Sequence, residues 1–260
     1  LSGYILWGLS PIFWKALNQV EAMDIVSWRV ICTFIFVALC NSLLRFTRRG
    51  KVDHLPFLRN KLSILGGGLI GLNWGMFVWA VESERVVEAS LGYFMNPLMN
   101  VFLGVVFLGE ALRKAQWLAV TFAAAGVLWL TVSLNAFPWV SLTLAISFAL
   151  YGLIRKVAPA SPLQGLRVET SVLLIPAVAF VLLRGNASEN LTADNATVIL
   201  ILLSGAVTGI PLLLFASSAK RIPLSILGIL QYITPTIQFL LGVFAYNETF
   251  DSNRLIGYSI

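Results

Sequence analysis

Six polar residues recur at positions where an apolar helix would bury them. Tyr93, Asn96 and Asn100 fall at i, i+3 and i+7, on one helix face; Gln231, Thr234 and Gln238 repeat that spacing 138 positions later. Amides and hydroxyls hydrogen-bond without making or breaking covalent bonds, so their chemistry is recognition of a solute or attachment of one helix to another. Each stripe also carries a proline, Pro97 or Pro235. Proline cannot donate to the carbonyl four residues earlier, which frees the oxygens of Tyr93 and Gln231, and both lie on the stripes. Meeting near the middle of a membrane, the two segments would turn amides and backbone oxygens toward a central substrate cavity. Helix attachment is the simpler reading of either stripe taken alone.

Asn73 and Trp74 join this set near mid-depth of a third apolar segment, beside Gly67, Gly71 and Gly75, whose spacing lets backbones approach closely. Trp7 fits a cavity wall and plain packing equally well. Charge inside the apolar segments is sparse. Arg29 and Glu169 each lie a few residues in from a segment end, close enough to an interface to snorkel. An ionisable group at a helix centre in lipid costs ~2.5–3.5 kcal/mol, which makes such residues functional candidates. Their expected role is gating or ion coupling, Glu169 on the inner side and Arg29 with Glu88 on the outer side.

No catalytic residue emerges. There is no His-Glu-x-x-His pair and no Gly-x-Ser-x-Gly elbow, and the single histidine, His54, sits in a basic loop. Cys32 and Cys40 share one apolar run without metal-ligand spacing and read as packing residues. No metal and no cofactor are expected. A carrier of small molecules leads over two rivals, an intramembrane enzyme and a channel; the channel lacks a ring of like charges or a carbonyl-rich filter. With no phosphate-binding loop, uphill movement would draw on an ion gradient.

The elements that must hold these residues are membrane helices. Hydrophobic residues make up 58% of the 260 and charged residues 12%, and the mean hydropathy is +0.85; a soluble domain carries about twice that charge. A crossing needs ~20 apolar residues, and ten candidates follow: 1–17, 24–44, 62–81, 88–108, 116–134, 139–154, 165–183, 197–216, 223–244 and 254 onward. The net charge of +6 sits in alternate loops: residues 45–61, Arg113 and Lys114, Arg155 and Lys156, Lys220 and Arg221. Such clustering marks loops that stay in the cytoplasm and argues against a nucleic-acid partner. Every even-numbered exit is then inside, both termini are cytoplasmic, and the lipid bilayer is the principal partner. Trp14, Trp28, Trp129 and Trp139 fall near the outer interface and Trp117 near the inner one, as belt anchors do. The chain opens and closes inside apolar segments and reads as a fragment with truncated first and last helices, without a cleavable signal.

The duplication is wider than the stripes. Pro97, Gly104 and Glu110 align with Pro235, Gly242 and Glu248; Trp7-Gly8 resembles Tyr151-Gly152; Trp28-Arg29 falls where Val168-Glu169 falls. Two halves of five crossings, residues 1–134 and 135–260, must run in opposite directions because five is odd. The expected fold is therefore all-α and integral to the membrane, ten helices in two inverted five-helix repeats.

Several stretches resemble one family. VEASLGYFMNPLMNVFLGVVFLGE at 87–110, WGLSPIFWK at 7–15, NWGMFVWAV at 73–81, SFALYGLIRK at 147–156, Glu169-Thr170 with Pro176, and QYITPT at 231–236 are similar to RarD-type permeases. These belong to the EamA group of the drug/metabolite transporter superfamily. The resemblance implies ten helices as two inverted repeats in a bacterial inner membrane, and export of small organic solutes; the type is associated by name with chloramphenicol sensitivity. Members often carry His-Arg where this chain has Trp28-Arg29, which removes the basis for a proton-sensing role at that position.

Overall fold

The computed structural model describes residues 1–47, 61–133, 137–184 and 194–246, and every regular element among them is helical. In chain order these are α1 (Ser2–Lys15), α2 (Ala22–Thr47), α3 (Lys61–Glu82), α4 (Val86–Leu108), α5 (Lys114–Ser133), α6 (Trp139–Val157), α7 (Pro162–Arg184), α8 (Asn195–Ala219), α9 (Leu224–Gln231) and α10 (Ile233–Leu240), with a π-helical turn at Leu241–Ala245. Eight stretches among the described residues are long and apolar enough to cross a bilayer: α2 to α8, and the run Leu224–Ala245. α1, at 14 residues, is shorter. The chain is thus an all-helical, multi-pass membrane protein. The tenth segment, from 254 onward, and His54 lie outside the described residues.

The two prolines behave differently. α4 runs unbroken through Pro97, whereas the matching segment breaks at Tyr232, three residues before Pro235. The Tyr232 amide bonds back to the Ile229 carbonyl three residues away, a tight turn that ends α9 and starts α10. Interruption of both segments was the expectation; one lost hydrogen bond leaves a long helix continuous where packing holds both flanks.

Backbones meet where side chains vanish. A Cβ on Gly67 or Gly71 of α3 would stand 3.1 Å from the Glu169 backbone or 2.4 Å from the Leu173 side chain, both on α7. On α8, a Cβ on Gly205 or Gly209 would stand 2.3 Å from the Cys32 carbonyl oxygen or 2.9 Å from the Phe36 ring, both on α2. In lipid, where burial of apolar surface gives helices no reason to associate, such close approach supplies the packing. α1 lies on α8 and α10, α6 on α3 and α4, α2 on α7 and α8, α3 on α7, and α4 on α9. Tyr4, Trp7, Phe148, Tyr151 and Phe215 form an aromatic cluster where α1, α6 and α8 meet. Helix direction sorts the charges to two ends. Arg113, Lys114, Arg155, Lys156, Lys220 and Arg221 mark a basic end; Glu21, Glu82, Glu84, Glu88 and Asp194 lie at the opposite end.

Candidate functional site

The paired stripes meet where α9 crosses α4. Gly228 permits it: a Cβ there would stand 2.7 Å from the Pro97 carbonyl oxygen. Fully buried Asn100 donates from Nδ2 to Gln231 Oε1 at 2.8 Å and, more weakly, to Asn96 Oδ1 at 3.4 Å. Its own Oδ1 is buried with no hydrogen-bond partner among the described residues. Tyr232, at the break, donates from its hydroxyl to the Phe94 carbonyl at 3.2 Å. Asn96, Asn100 and Gln231 therefore form one buried amide cluster, with Pro97 and Pro235 buried beside it.

The other members of the stripes are spent elsewhere. Thr234 donates to the Tyr4 carbonyl at 3.0 Å and Gln238 to the Trp7 carbonyl at 3.3 Å, so both tie α10 to α1. Asn73 donates to the Leu144 carbonyl at 2.9 Å and to Ser147 Oγ at 3.0 Å, tying α3 to α6. Each of these satisfies a polar group that lipid would leave unpaired. Trp7 packs within the aromatic cluster and also lines a narrow cleft with Tyr4, Phe215 and Leu227.

Toward the opposite end, Arg29 reaches in from α2. Its guanidinium lies 4.1 Å from the Trp74 ring centroid and 5.4 Å from that of Trp14, and close enough to Tyr93 for the two to interact electrostatically. Rings from α1 and α3 and the hydroxyl-bearing face of α4 surround it. Trp14, Arg29 and Trp74 are half-buried, and Tyr93 keeps 37% of its surface accessible. Glu88 pairs with Arg85 at 3.1 Å, and no ion pair joins it to Arg29. Glu88, named with Arg29 for an outer gate, spends its charge on Arg85, an i, i+3 contact that costs less chain ordering than a bridge between helices.

Toward the basic end the polar groups interlock. Glu169 is 1% exposed: Arg155 Nη1 donates to its Oε1 at 2.9 Å and the Tyr151 hydroxyl to its Oε2 at 3.0 Å. Arg155, itself buried, also donates to the Pro162 carbonyl at 2.7 Å. Lys156 donates to the Ile222 and Ala219 carbonyls, at 2.7 and 3.3 Å, and Lys220 returns a hydrogen bond to the Ala158 carbonyl. Burial, and then the Arg155 charge, hold the Lys220 ammonium below its ordinary range. Glu110, just past α4, accepts from the Leu224 and Ser225 amides and the Ser225 hydroxyl, at 2.7, 2.8 and 2.8 Å, and so caps α9. Burial alone would push its carboxyl up; those donors and Lys156 outweigh burial and hold it below the usual carboxylate range.

Three sequence expectations need correction here. Glu169 does not snorkel, because a partner on the neighbouring helix satisfies it where it stands. Arg155 belongs to the last turn of α6 and faces inward, whereas its charge alone marked it as a loop residue. Trp14 faces Arg29 in place of anchoring an interface. Tyr151 and Arg155 are functional candidates the sequence reading passed over, although their i, i+4 spacing puts them on one face.

The EamA-like transporter family's profile matches the chain twice, over residues 1–132 and 138–260. The RarD protein of Streptomyces exfoliatus is 42% identical over 99% of this chain and 82% of its own length. The uncharacterized transporter YojE of Bacillus subtilis (strain 168) is 41% identical over 98% of this chain and 87% of its own. A solved crystal structure superposes with a TM-score of 0.71, covering 99% of this chain and 90% of that one; at 17% identity it speaks for the fold alone. The chain belongs to the EamA-like transporter family, within it to the RarD-type permeases of the drug/metabolite transporter superfamily, and is a membrane transporter and not an enzyme.

Proposed function

We propose that this chain is a secondary carrier that exports small organic solutes, drugs or metabolites, across the cytoplasmic membrane by alternating access. Its architecture on this reading is ten helices in two inverted five-helix repeats, residues 1–134 and 135–260, with the basic end and both termini in the cytoplasm. Mirrored packing is the observation that carries it. Under the repeat α1 corresponds to α6, α2 to α7, α3 to α8, and α4 to the α9–α10 run. Then α1 on α8 mirrors α6 on α3, α2 on α8 mirrors α7 on α3, and α1 on α10 mirrors α6 on α4. Two further pairs, α2 with α7 and α4 with α9, map onto themselves, as contacts across a two-fold axis must. Gly67 and Gly205, 138 positions apart, make matching approaches to α7 and α2.

On this reading Asn96, Asn100 and Gln231 stand at the centre of the substrate path. The Asn100 oxygen left without a partner is an acceptor for solute, and Trp7, Trp74 and Tyr93 are walls. Asn73, Thr234 and Gln238 hold the helices that frame the path, and Pro97 and Pro235 loosen them. Glu169 with Arg155 closes the cytoplasmic side. Alternating access then requires that latch to open as the outer side closes.

Flux of radiolabelled amino acids and amphenicol-type drugs in proteoliposomes tests the reading. Changing Asn100 and Gln231 together to Ala should lower flux about tenfold or more while the protein still elutes as a folded species. Wild-type flux in that variant removes the amide cluster from the path.

A further inference from the structure

The half-buried arginine near the outer end points to a substrate class, an inference that rests on the transporter reading above. Arg29 makes no hydrogen bond or ion pair through its guanidinium among the described residues, and its Nε is buried without a partner. The carboxylates paired at that end are committed to other arginines: Glu88 to Arg85, and Glu21 and Asp24 to Arg184. Glu82 and Glu84 are exposed. A cation partly withdrawn from water calls for an anion, and the described residues supply none.

The rings explain what is left open. The guanidinium lies 4.1 Å from the Trp74 ring centroid, and a guanidinium held against a ring can still grip a carboxylate through its N–H groups with two parallel hydrogen bonds. Trp14 and Trp74 set two apolar rings around the guanidinium, and Tyr93 stands within electrostatic reach of it. One unpaired positive charge neutralises one negative charge, so a monoanion fits and a dianion would leave charge uncompensated.

We propose that Arg29, between Trp14, Trp74 and Tyr93, anchors the carboxylate of a planar or aromatic organic acid. Binding of phenylacetate and of its neutral amide, phenylacetamide, to the full chain in phosphatidylcholine nanodiscs tests this, read by tryptophan fluorescence. The acid should bind about tenfold more tightly than the amide. Arg29→Gln should erase that preference, with an unchanged elution profile in detergent as the check that the variant is folded. Arg29→Lys should keep part of the preference, because charge remains and the fork is lost. Equal affinities in the wild type, no saturable binding of either probe, or a preference that survives Arg29→Gln overturns the assignment. Nanodiscs containing phosphatidylglycerol separate the other source of an anion: competition by that lipid for the phenylacetate site gives the arginine to a headgroup and ends the solute proposal. Binding is measured without flux, so acid-selective binding with no transport sinks the carrier reading alone, and flux without acid preference sinks this one alone.

Discussion

Glu169 and Arg29 are both charged residues set inside apolar helices, toward opposite ends of the molecule, and they have opposite fates. Glu169 on α7 is shut in by Arg155 and Tyr151, every oxygen answered. Arg29 on α2 faces aromatic rings and has no counter-ion among the described residues. A charge taken out of water must find its partner inside the fold or keep a path to one outside it. The basic end took the first course and adds Lys156, Lys220 and the Glu110 cap to the same seam. The opposite end keeps a cation on offer.

Removing one partner of the buried pair should do the most damage. Glu169→Ala should destabilise by ~3–5 kcal/mol, because Arg155 is left as an uncompensated buried charge. Arg155→Met combined with Glu169→Leu should recover most of that loss. Thermal unfolding in detergent reads both, and a single variant as stable as wild type would dissolve the contrast between the ends.

Loss of the α9 cap should be smaller and pH-dependent. Glu110→Gln should cost ~1–2 kcal/mol at neutral pH. The folded pKa of Glu110 lies below its unfolded value of about 4.3. Its contribution is therefore present above that value and is lost as the pH falls through the lower folded pKa. The wild type should approach the Glu110→Gln variant in acid; a stability difference that persists undiminished below the folded pKa contradicts the carboxylate's role.

The smallest effect is expected at the open end. Arg29→Met should shift stability by less than ~1 kcal/mol, since a lost cation–π contact is offset by relief of an unpaired charge. A loss as large as that of Glu169→Ala would mean that Arg29 has a counter-ion after all.

Much of this was legible in advance. Apolar runs gave eight of the ten expected crossings among the described residues, and the 138-residue recurrence picked out α4 and the α9–α10 run, which meet. Asn100 and Gln231, chosen by spacing, are hydrogen-bonded to each other. Thr234 and Gln238 had the same spacing credentials, and Asn73 was chosen for its depth; all three turned out to tie helices together, because a polar position specifies a face and says nothing about which neighbour covers it. Arg155 was misread for a related reason: a basic residue at a helix end looks like a topology signal whether it points to water or inward.

Residue order alone determined that the chain is a membrane protein, where its helices run and which of their faces are polar, because backbone hydrogen bonding in lipid must be satisfied within each segment and leaves few alternatives. It also determined the family, carried by stretches too specific to be generic apolar sequence. Tertiary structure alone decided which charges pair, which proline breaks its helix and which tryptophans face the arginine. Those outcomes depend on contacts between segments far apart in the chain, where the partner on a neighbouring helix sets whether a polar group is buried, bridged or left open.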